Sequence, residues 1–105
     1  MRSAMTSLYV TEDKKNHTVT IAIKDRFDFA VHKEFRASYR DRTLPARYVV
    51  DLRQVNYIDS SALGMLLLLR EHALAHRGQV VIANCSSDVR QILTIANFDR
   101  LLQIQ

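Results

Sequence analysis

The chain has 105 residues, of which 48% are hydrophobic and 25% charged, a mixture typical of one globular domain. Two glycines and one proline exclude a collagen-like or low-complexity chain, and the apolar content excludes intrinsic disorder. A single cysteine, Cys85, cannot close an internal disulfide, which is consistent with a reducing compartment. No apolar stretch approaches the roughly 20 residues of a spanning helix and no signal segment opens the chain, so we expect a cytoplasmic protein without membrane insertion.

Basic residues outnumber acidic ones, 15 against 11, which gives a net charge of +4 and a pI near 9.6. A clustered excess of positive charge would suit a nucleic acid or a membrane surface, but these charges are scattered along the chain. The densest basic group is interleaved with Glu34 and Asp41, and we interpret it as a solvated helix face (Lys33, Arg36, Arg40, Arg42 and Arg47). Without alternating aromatic and basic residues, we predict no direct contact with nucleic acid.

The first residues, Met1–Ser7, have no period, so we predict a flexible segment there and one folded domain over residues 8–105. Leu8–Glu12 and Thr18–Lys24 are predicted strands, the second with an alternating β-branched pattern. The residues between them are polar turn material, which favours a hairpin. The first two strands are therefore predicted to be antiparallel.

Helices and strands alternate after the hairpin. Val31, Phe35 and Tyr39 are spaced four apart, which predicts a first helix over Ala30–Arg40. A strand, a long helix, a strand, a helix and an edge strand follow in that order (Tyr48–Leu52, Ser60–His76, Val80–Ala83, Ser86–Ala96 and Leu101–Ile104). Because helices between strands form right-handed crossovers, we predict a mixed α/β sheet of four to five strands, antiparallel at its start and parallel in its core, packed with about three helices.

The most informative segment is Val49–Ala73, in which a buried strand ends in a polar loop that leads to Asp59, Ser60 and Ser61. An Asp or Ser ahead of an apolar helix is an N-cap, because its side-chain oxygen accepts hydrogen bonds from the first unpaired amides. The loop is thus predicted to deliver Ser60 to the beginning of a helix.

A helical projection of this segment has one wide apolar arc and one mixed face. The arc is expected to face the sheet (Ala62, Leu63, Met65, Leu66, Leu67, Leu69, Ala73 and Leu74). The opposite face holds the remaining residues (Ser60, Ser61, Gly64, Leu68, Glu71, His72 and Ala75). A glycine inside a helix costs about 1 kcal/mol relative to alanine, so the missing side chain of Gly64 should allow close approach, either of another molecule or of the sheet.

A serine at a helix N-terminus can carry a phosphate without loss of the fold, because the free amides and the helix dipole favour an anion there. Phosphorylation of Ser60 would add about −1.5 to −2 charges near Gly64 and Leu68, enough to expel a partner in close contact. The alternative interpretation is that Asp59 and Ser60 only cap the helix.

The order of elements, the segment Asp59-Ser60-Ser61-Ala62-Leu63-Gly64 and the segment Asp25-Arg26-Phe27-Asp28 resemble the STAS domain of bacterial anti-sigma factor antagonists, from about Leu8 onward. The resemblance implies that a serine-kinase anti-sigma factor binds the unphosphorylated chain and thereby frees a sigma factor. It also implies that this kinase phosphorylates Ser60, that phosphorylation ends binding, and that a PP2C-type, metal-dependent serine phosphatase resets the cycle. The implied partner-binding residues are Asp28, Asp59, Ser61, Gly64 and Leu68.

Two departures from the family pattern concern the partner more than the fold. Asp25 and Arg26 stand where the family has glycine and glutamate, and Ala62 occupies a usual glycine position. Arg26 reverses a charge beside Asp28, and we expect Phe27 to be partly exposed.

An enzymatic function has little support in the sequence. The four histidines form no His-x-x-Glu-His pair, and there is no Cys-x-x-Cys, Gly-x-Ser-x-Gly or glycine-rich phosphate loop. His72 and His76 are four apart but lack a third ligand nearby, so we predict exposed helix histidines and neither a metal nor a cofactor. Cys85 has no evident base beside it and is interpreted as a buried or edge thiol.

The main alternative function is a different use of the same domain. Small STAS proteins also serve as stabilising subunits of bacterial lipid-transport ABC systems, where the helix surface docks on the transporter and no phosphate cycle is needed. Those proteins often lack the first serine of the motif, so the pair Asp59 and Ser60 favours the phosphorylation switch. A basic nucleic-acid-binding module is the third alternative. We expect a monomer or a weak dimer.

Overall fold

The computed structural model describes residues 7–105. These residues form five strands and three α-helices (β1 Leu8–Asp13, β2 Thr18–Phe27, α1 His32–Ala37, β3 Arg47–Ile58, α2 Ser60–Ala75, β4 Gln79–Ala83, α3 Ser87–Ile95 and β5 Gln103–Ile104). Short 3-10 turns cover Phe29–Val31 and Phe98–Arg100. The flexible segment predicted at the start of the chain lies outside the described residues, except for Ser7.

The five strands form one sheet in the order β1-β2-β3-β4-β5. β1 and β2 are antiparallel, and every later neighbour is parallel, which confirms the predicted mixed sheet. Each parallel connection moves the chain one strand further in the same direction, so right-handed crossovers place all three helices on one face of the sheet. Burial agrees with this arrangement, because Ile21 and Val50 are fully buried, whereas their neighbours Thr20 and Val49 are only half-buried.

Helix α2 supplies the largest share of the helical layer of the core. It buries a stripe at helical spacing against the sheet (Ala62, Met65, Leu66, Leu69 and Ala73). Two residues of the predicted apolar arc are exposed instead, Leu67 and Leu74, the latter at 56%. The predicted burial was therefore wrong for these two residues. Helix α2 packs against the sheet on one side only, and its flanks are exposed to solvent.

Strands β2 and β3 both run further than predicted. The polar stretch expected to be a loop after Leu52 continues as strand β3 to Ile58, and Val55 and Ile58 point into the core. β2 likewise continues to Phe27, and the two extensions pair in parallel with shifts of register on either side of Asp25. Ser60 is thus delivered by the end of a paired strand rather than by a loop.

The first predicted helix is shorter than Ala30–Arg40, because a 3-10 turn precedes α1 and a turn follows Ala37. Its inward positions Val31, Phe35 and Tyr39 are buried as predicted. The basic group does not form one helix face, because α1 ends at Ala37 and Arg40, Arg42 and Arg47 lie beyond it.

Candidate functional site

The candidate site lies where β2 and β3 end side by side. Phe27 pairs with Ile58 in the parallel register, so Asp28 and Asp59 directly follow the ends of two neighbouring strands, which lie about 4.8 Å apart. Two carboxylates separated by 31 positions in sequence are therefore brought to the same end of the sheet. Each carboxylate caps the helical element that follows it.

Asp59 is the N-cap of α2, as predicted. Its Oδ1 accepts hydrogen bonds from the amides of Ser61 at 3.0 Å and Ala62 at 3.2 Å, and from the Ser61 hydroxyl. The hydrogen bond from that hydroxyl does most to hold the pKa of Asp59 below its ordinary value of 3.8, against the opposing effect of burial. The charge of Arg26 lowers the pKa of Asp59 as well.

Two adjacent serines at this helix end have different environments. Ser61 is half-buried and its hydroxyl donates to Asp59, so this hydroxyl belongs to the cap. Ser60 is exposed, and its hydroxyl makes no hydrogen bond to any residue from 7 to 105. Ser60 is consequently the hydroxyl of the pair that an external enzyme can reach without disturbing the cap.

Gly64 and Leu68 follow Ser60 by one and two turns, about 6 and 12 Å along the axis of α2. Gly64 is exposed, and a Cβ built on it would meet no atom within 4 Å among the described residues. Leu68 is 57% exposed. Gly64 therefore does not serve packing against the sheet, which was one of its two predicted uses, and close approach of another molecule stays a prediction.

Asp28 has two partners of its own. Its Oδ1 accepts a hydrogen bond from the Ala30 amide at 3.0 Å, which caps the first 3-10 turn. Its Oδ2 accepts from Arg26 Nε at 3.1 Å, and the Arg26 guanidinium also lies 4.0 Å above the ring of Tyr57. The charge of Asp28 is thus compensated by Arg26.

The exposed aromatic residues of the site differ from the expectation. Phe27 is fully buried and packs on Phe35 with ring centroids 5.3 Å apart, so the predicted exposure of Phe27 was wrong. Phe29 is 63% exposed instead, and Tyr57 is exposed as well. No sequence signal marked these two residues: Tyr57 lies where the register shifts and the alternation of β3 is broken, and Phe29 lies in the 3-10 turn after β2. We call the exposed residues Phe29, Tyr57, Ser60, Gly64 and Leu68 the Ser60 surface.

The histidine pair of α2 and the single cysteine lie outside the candidate site. His72 and His76 are half-buried rather than exposed, and their ring nitrogens lie within hydrogen-bond distance of the carbonyls of Arg42 and His72, at 2.7 and 2.8 Å. Within residues 7–105, no three His, Cys, Asp or Glu side chains gather closely enough to hold a metal. Cys85 is half-buried.

One open cavity of about 680 Å³ lies at the opposite end of the sheet, where its lining includes Pro45, Arg77 and Gly78. It contains none of the residues of the Ser60 surface.

Among the described residues, the helices are too short or too polar to span a membrane.

The lowered pKa of Asp59 predicts a pH-dependent contribution to stability. Replacing Asp59 with alanine is expected to lower the melting temperature at neutral pH, because the α2 amides lose their charged acceptor. A carboxylate with a lowered folded-state pKa stabilises fully above its ordinary pKa, and this stabilisation is lost as pH falls through the folded value. The difference in melting temperature between wild type and Asp59→Ala should therefore shrink below about pH 4.

Melting curves of both proteins from pH 7 to about pH 2 test this prediction. Asp59→Asn is the matched control, since asparagine keeps an N-cap acceptor but does not ionise. If Asp59→Ala melts as far below wild type at about pH 2 as at pH 7, the charge of Asp59 contributes nothing to stability.

Comparisons with known proteins agree with this geometry. The family model described as "Mlab, STAS domain" matches residues 10–103. A STAS-domain containing protein of Pseudomonas aeruginosa (strain UCBPP-PA14) is 56% identical over 87 residues, which make up 82% of this chain and 86% of that protein.

Solved structures share the fold at low sequence identity. An anti-sigma-factor antagonist (STAS) domain protein from Planctomyces limnophilus superposes with a TM-score of 0.80 at 17% identity, over 92% of this chain and 87% of that chain. The anti-sigma factor antagonist SpoIIAA in its unphosphorylated form gives 0.70 at 17% identity over 93% and 86% of the chains. SpoIIAA of Bacillus in its phosphorylated form gives 0.69 at 17% identity over 93% and 90%.

A sulfate transporter family protein from Wolinella succinogenes gives a TM-score of 0.75 at 16% identity over 84% and 75% of the chains. The solved structures establish the fold alone, whereas the family model and the bacterial relative match the sequence itself. On that evidence, the chain belongs to the STAS domain family.

Proposed function

We propose that this chain is an anti-sigma factor antagonist that acts as a binding module in the cytoplasm. Its unphosphorylated form binds a serine-kinase anti-sigma factor through the Ser60 surface and so frees a sigma factor for transcription. Phosphorylation of Ser60 by that kinase ends the binding. The observation that carries the proposal is the contrast between an exposed, unengaged Ser60 hydroxyl and the Ser61 hydroxyl bound to Asp59.

The position of Ser60 suits phosphorylation chemically. Its oxygen would bond to the γ-phosphorus of ATP held by the kinase as the bond to ADP breaks, and its proton would pass to a base of the kinase. The product is a phosphate at the first residue of a 16-residue helix, where the dipole and the free amides favour an anion. The fold of the chain should therefore survive the modification.

The surroundings of Ser60 explain why a phosphate would expel a partner. Phe29, Tyr57 and Leu68 offer exposed apolar area that a partner must cover, and such contacts form only when water leaves the interface. A phosphate carries about −1.5 to −2 charges and resists removal from water. Docking on the Ser60 surface would then require this phosphate to leave water, which opposes binding.

Gly64→Ala offers a test of the docking surface that separates binding from stability. An added methyl group meets open space and improves helix propensity by about 1 kcal/mol, so the variant should be as stable as wild type or more so. The same methyl group would hold a closely packed partner away from α2, so we expect at least tenfold weaker binding of the kinase.

Affinity and melting temperature are measured on the same preparation of Gly64→Ala, with Ala75→Gly as a matched control. Ala75 is exposed in the last turn of α2, far from Ser60, and its replacement should leave affinity unchanged. Kinase affinity of Gly64→Ala equal to that of wild type would remove Gly64 from the interface.

The reset step requires an enzyme other than this chain. We propose a PP2C-type serine phosphatase, which hydrolyses the phosphate of Ser60 and restores binding. The alternative is a structural subunit of a lipid-transport ABC system that docks through the same helix surface without a phosphate. The fold does not choose between these functions, since it also occurs in a sulfate transporter family protein. The exposed Ser60 beside a capping Asp59 supports the first.

The mass of the intact protein isolated from its native cell tests this proposal. We expect a species heavier by about 80 Da, one phosphate, in the wild type and none in Ser60→Ala. Treatment with a PP2C-type phosphatase should return the heavier species to the unmodified mass. If wild type carries no such species in any growth phase, the phosphorylation switch is wrong and the transporter function is favoured.

A further inference from the structure

Arg26 is a basic residue near the end of β2, next to the capping carboxylate of Asp28. Its strand position pairs with Tyr57, three residues before Ser60, and its guanidinium lies over the Tyr57 ring at 4.0 Å. The side chain is 59% exposed and forms an ion pair from Nε to Asp28 Oδ2. Arg26 is thus held in place from one side by an aromatic ring and from the other by a carboxylate.

The guanidinium of Arg26 can leave Asp28 for another anion with the loss of a single hydrogen bond. The ion pair uses only Nε, and the remaining guanidinium nitrogens donate no hydrogen bond to a side chain or carbonyl within residues 7–105. The capping hydrogen bond from the Ala30 amide goes to the other carboxylate oxygen, Oδ1, and does not involve Arg26. The Arg26 side chain is 59% exposed against 19% for Asp28, so water competes chiefly for the guanidinium and weakens the ion pair.

A phosphate on Ser60 would compete strongly for this arginine. A phosphate dianion carries about twice the charge of a carboxylate and presents three acceptor oxygens, which a planar guanidinium can bind with two parallel hydrogen bonds. The pairing of Arg26 with Tyr57 places the arginine beside the strand end that leads to Ser60, and its charge lowers the pKa of Asp59, the residue directly before Ser60. The side chain is exposed, so it can turn without disturbing the core.

We propose that Arg26 binds the phosphate carried by Ser60. On phosphorylation its guanidinium leaves Asp28 and pairs with phosphoserine 60. The modification and the exchange alter the site at two points, because a phosphate is added on the Ser60 surface and the neighbouring Asp28 carboxylate is left without its cation. A partner that docks on Arg26 and Asp28 as a neutral pair would then meet two separate anionic centres. This inference rests on the proposed phosphorylation of Ser60.

The ionisation of the phosphate itself tests the proposal. Phosphoserine is installed at position 60 during synthesis of the full chain, and the phosphorus resonance is followed by NMR as a function of pH. Pairing with Arg26 favours the dianion, so the midpoint of the titration in wild type should lie about half a pH unit below that in Arg26→Gln. Arg53→Gln is the matched control, because Arg53 is also exposed but stands seven positions before Ser60 along β3 and α2, and its midpoint should equal that of wild type.

Equal midpoints for wild type and Arg26→Gln overturn the proposal. If Arg26→Gln does not fold, Arg26→Lys replaces it, since lysine keeps the charge but cannot bind the phosphate through a planar pair, and its midpoint should lie above that of wild type. The titration uses no kinase, so its failure leaves the proposed function standing. Conversely, absence of phosphate from the native protein refutes the function even where the midpoint shifts.

Discussion

Cells whose single copy of this protein carries Ser60→Ala are expected to keep the controlled sigma factor active under all conditions. Without a hydroxyl there is no phosphate to expel the kinase, which stays bound to the Ser60 surface. Ser60→Asp should have the opposite effect and weaken kinase binding about tenfold, or about 1.4 kcal/mol, because a carboxylate carries roughly half the charge of a phosphate. Transcription from a promoter of that sigma factor, together with kinase affinity, reports both results.

Ser61→Ala is the matched control for the Ser60 variants. The Ser61 hydroxyl donates to Asp59, so its removal weakens the cap of α2 and should lower the melting temperature. The switch itself should be retained, since Ser60 is still present. Unchanged kinase affinity in both Ser60→Ala and Ser60→Asp would require the assignment of Ser60 to be abandoned.

Gly78→Ala is expected to destabilise the domain by about 2 kcal/mol and to lower the melting temperature by about 10 °C. A Cβ on Gly78 would lie 2.2 Å from the carbonyl oxygen of Ala46 and 3.2 Å from its nitrogen. That carbonyl accepts the Gln79 amide at 3.1 Å where β4 begins, so it cannot move away without breaking the pairing of β3 with β4.

The same substitution at Gly64 is the control for Gly78→Ala, because the Cβ there meets open space. Thermal melts of the two variants and wild type, followed by circular dichroism, give the comparison. Gly78→Ala should melt below wild type, and Gly64→Ala at or above it. A melting temperature of Gly78→Ala equal to that of wild type would mean that the Ala46 segment yields freely, contrary to its hydrogen bonding.

The order of elements was predictable because its signals are local. Alternating β-branched residues indicate β2, and apolar residues four positions apart indicate the buried side of the first helix. An acidic residue before an apolar run indicates the start of α2. The ends of β2 and β3 were not predictable in the same way. Residues 53–58 are polar enough to suggest a loop, and their strand conformation depends on pairing with Lys24–Phe27, which lies 30 positions earlier in the chain.

Some features of the candidate site could be predicted from neighbouring residues, and others depend on contacts between distant parts of the chain. Asp59 and Ser60 follow from cap chemistry, which depends on neighbouring residues only. The contact of Arg26 with Tyr57 depends on the shifted register between two strands. The exposure of Phe29 rather than Phe27 depends on where β2 ends and the 3-10 turn begins. His72 is half-buried for a similar reason, since its ring lies against Tyr39 and Tyr48 from two other elements.

The affinity of the kinase for two forms of the chain tests the central claim most directly. The serine kinase captured by Ser60→Ala is purified and titrated calorimetrically with the chain carrying either serine or phosphoserine at position 60. We predict that the phosphate weakens binding about 100-fold, or by about 2.7 kcal/mol. Equal dissociation constants for the two forms would contradict control of docking by a phosphate on Ser60.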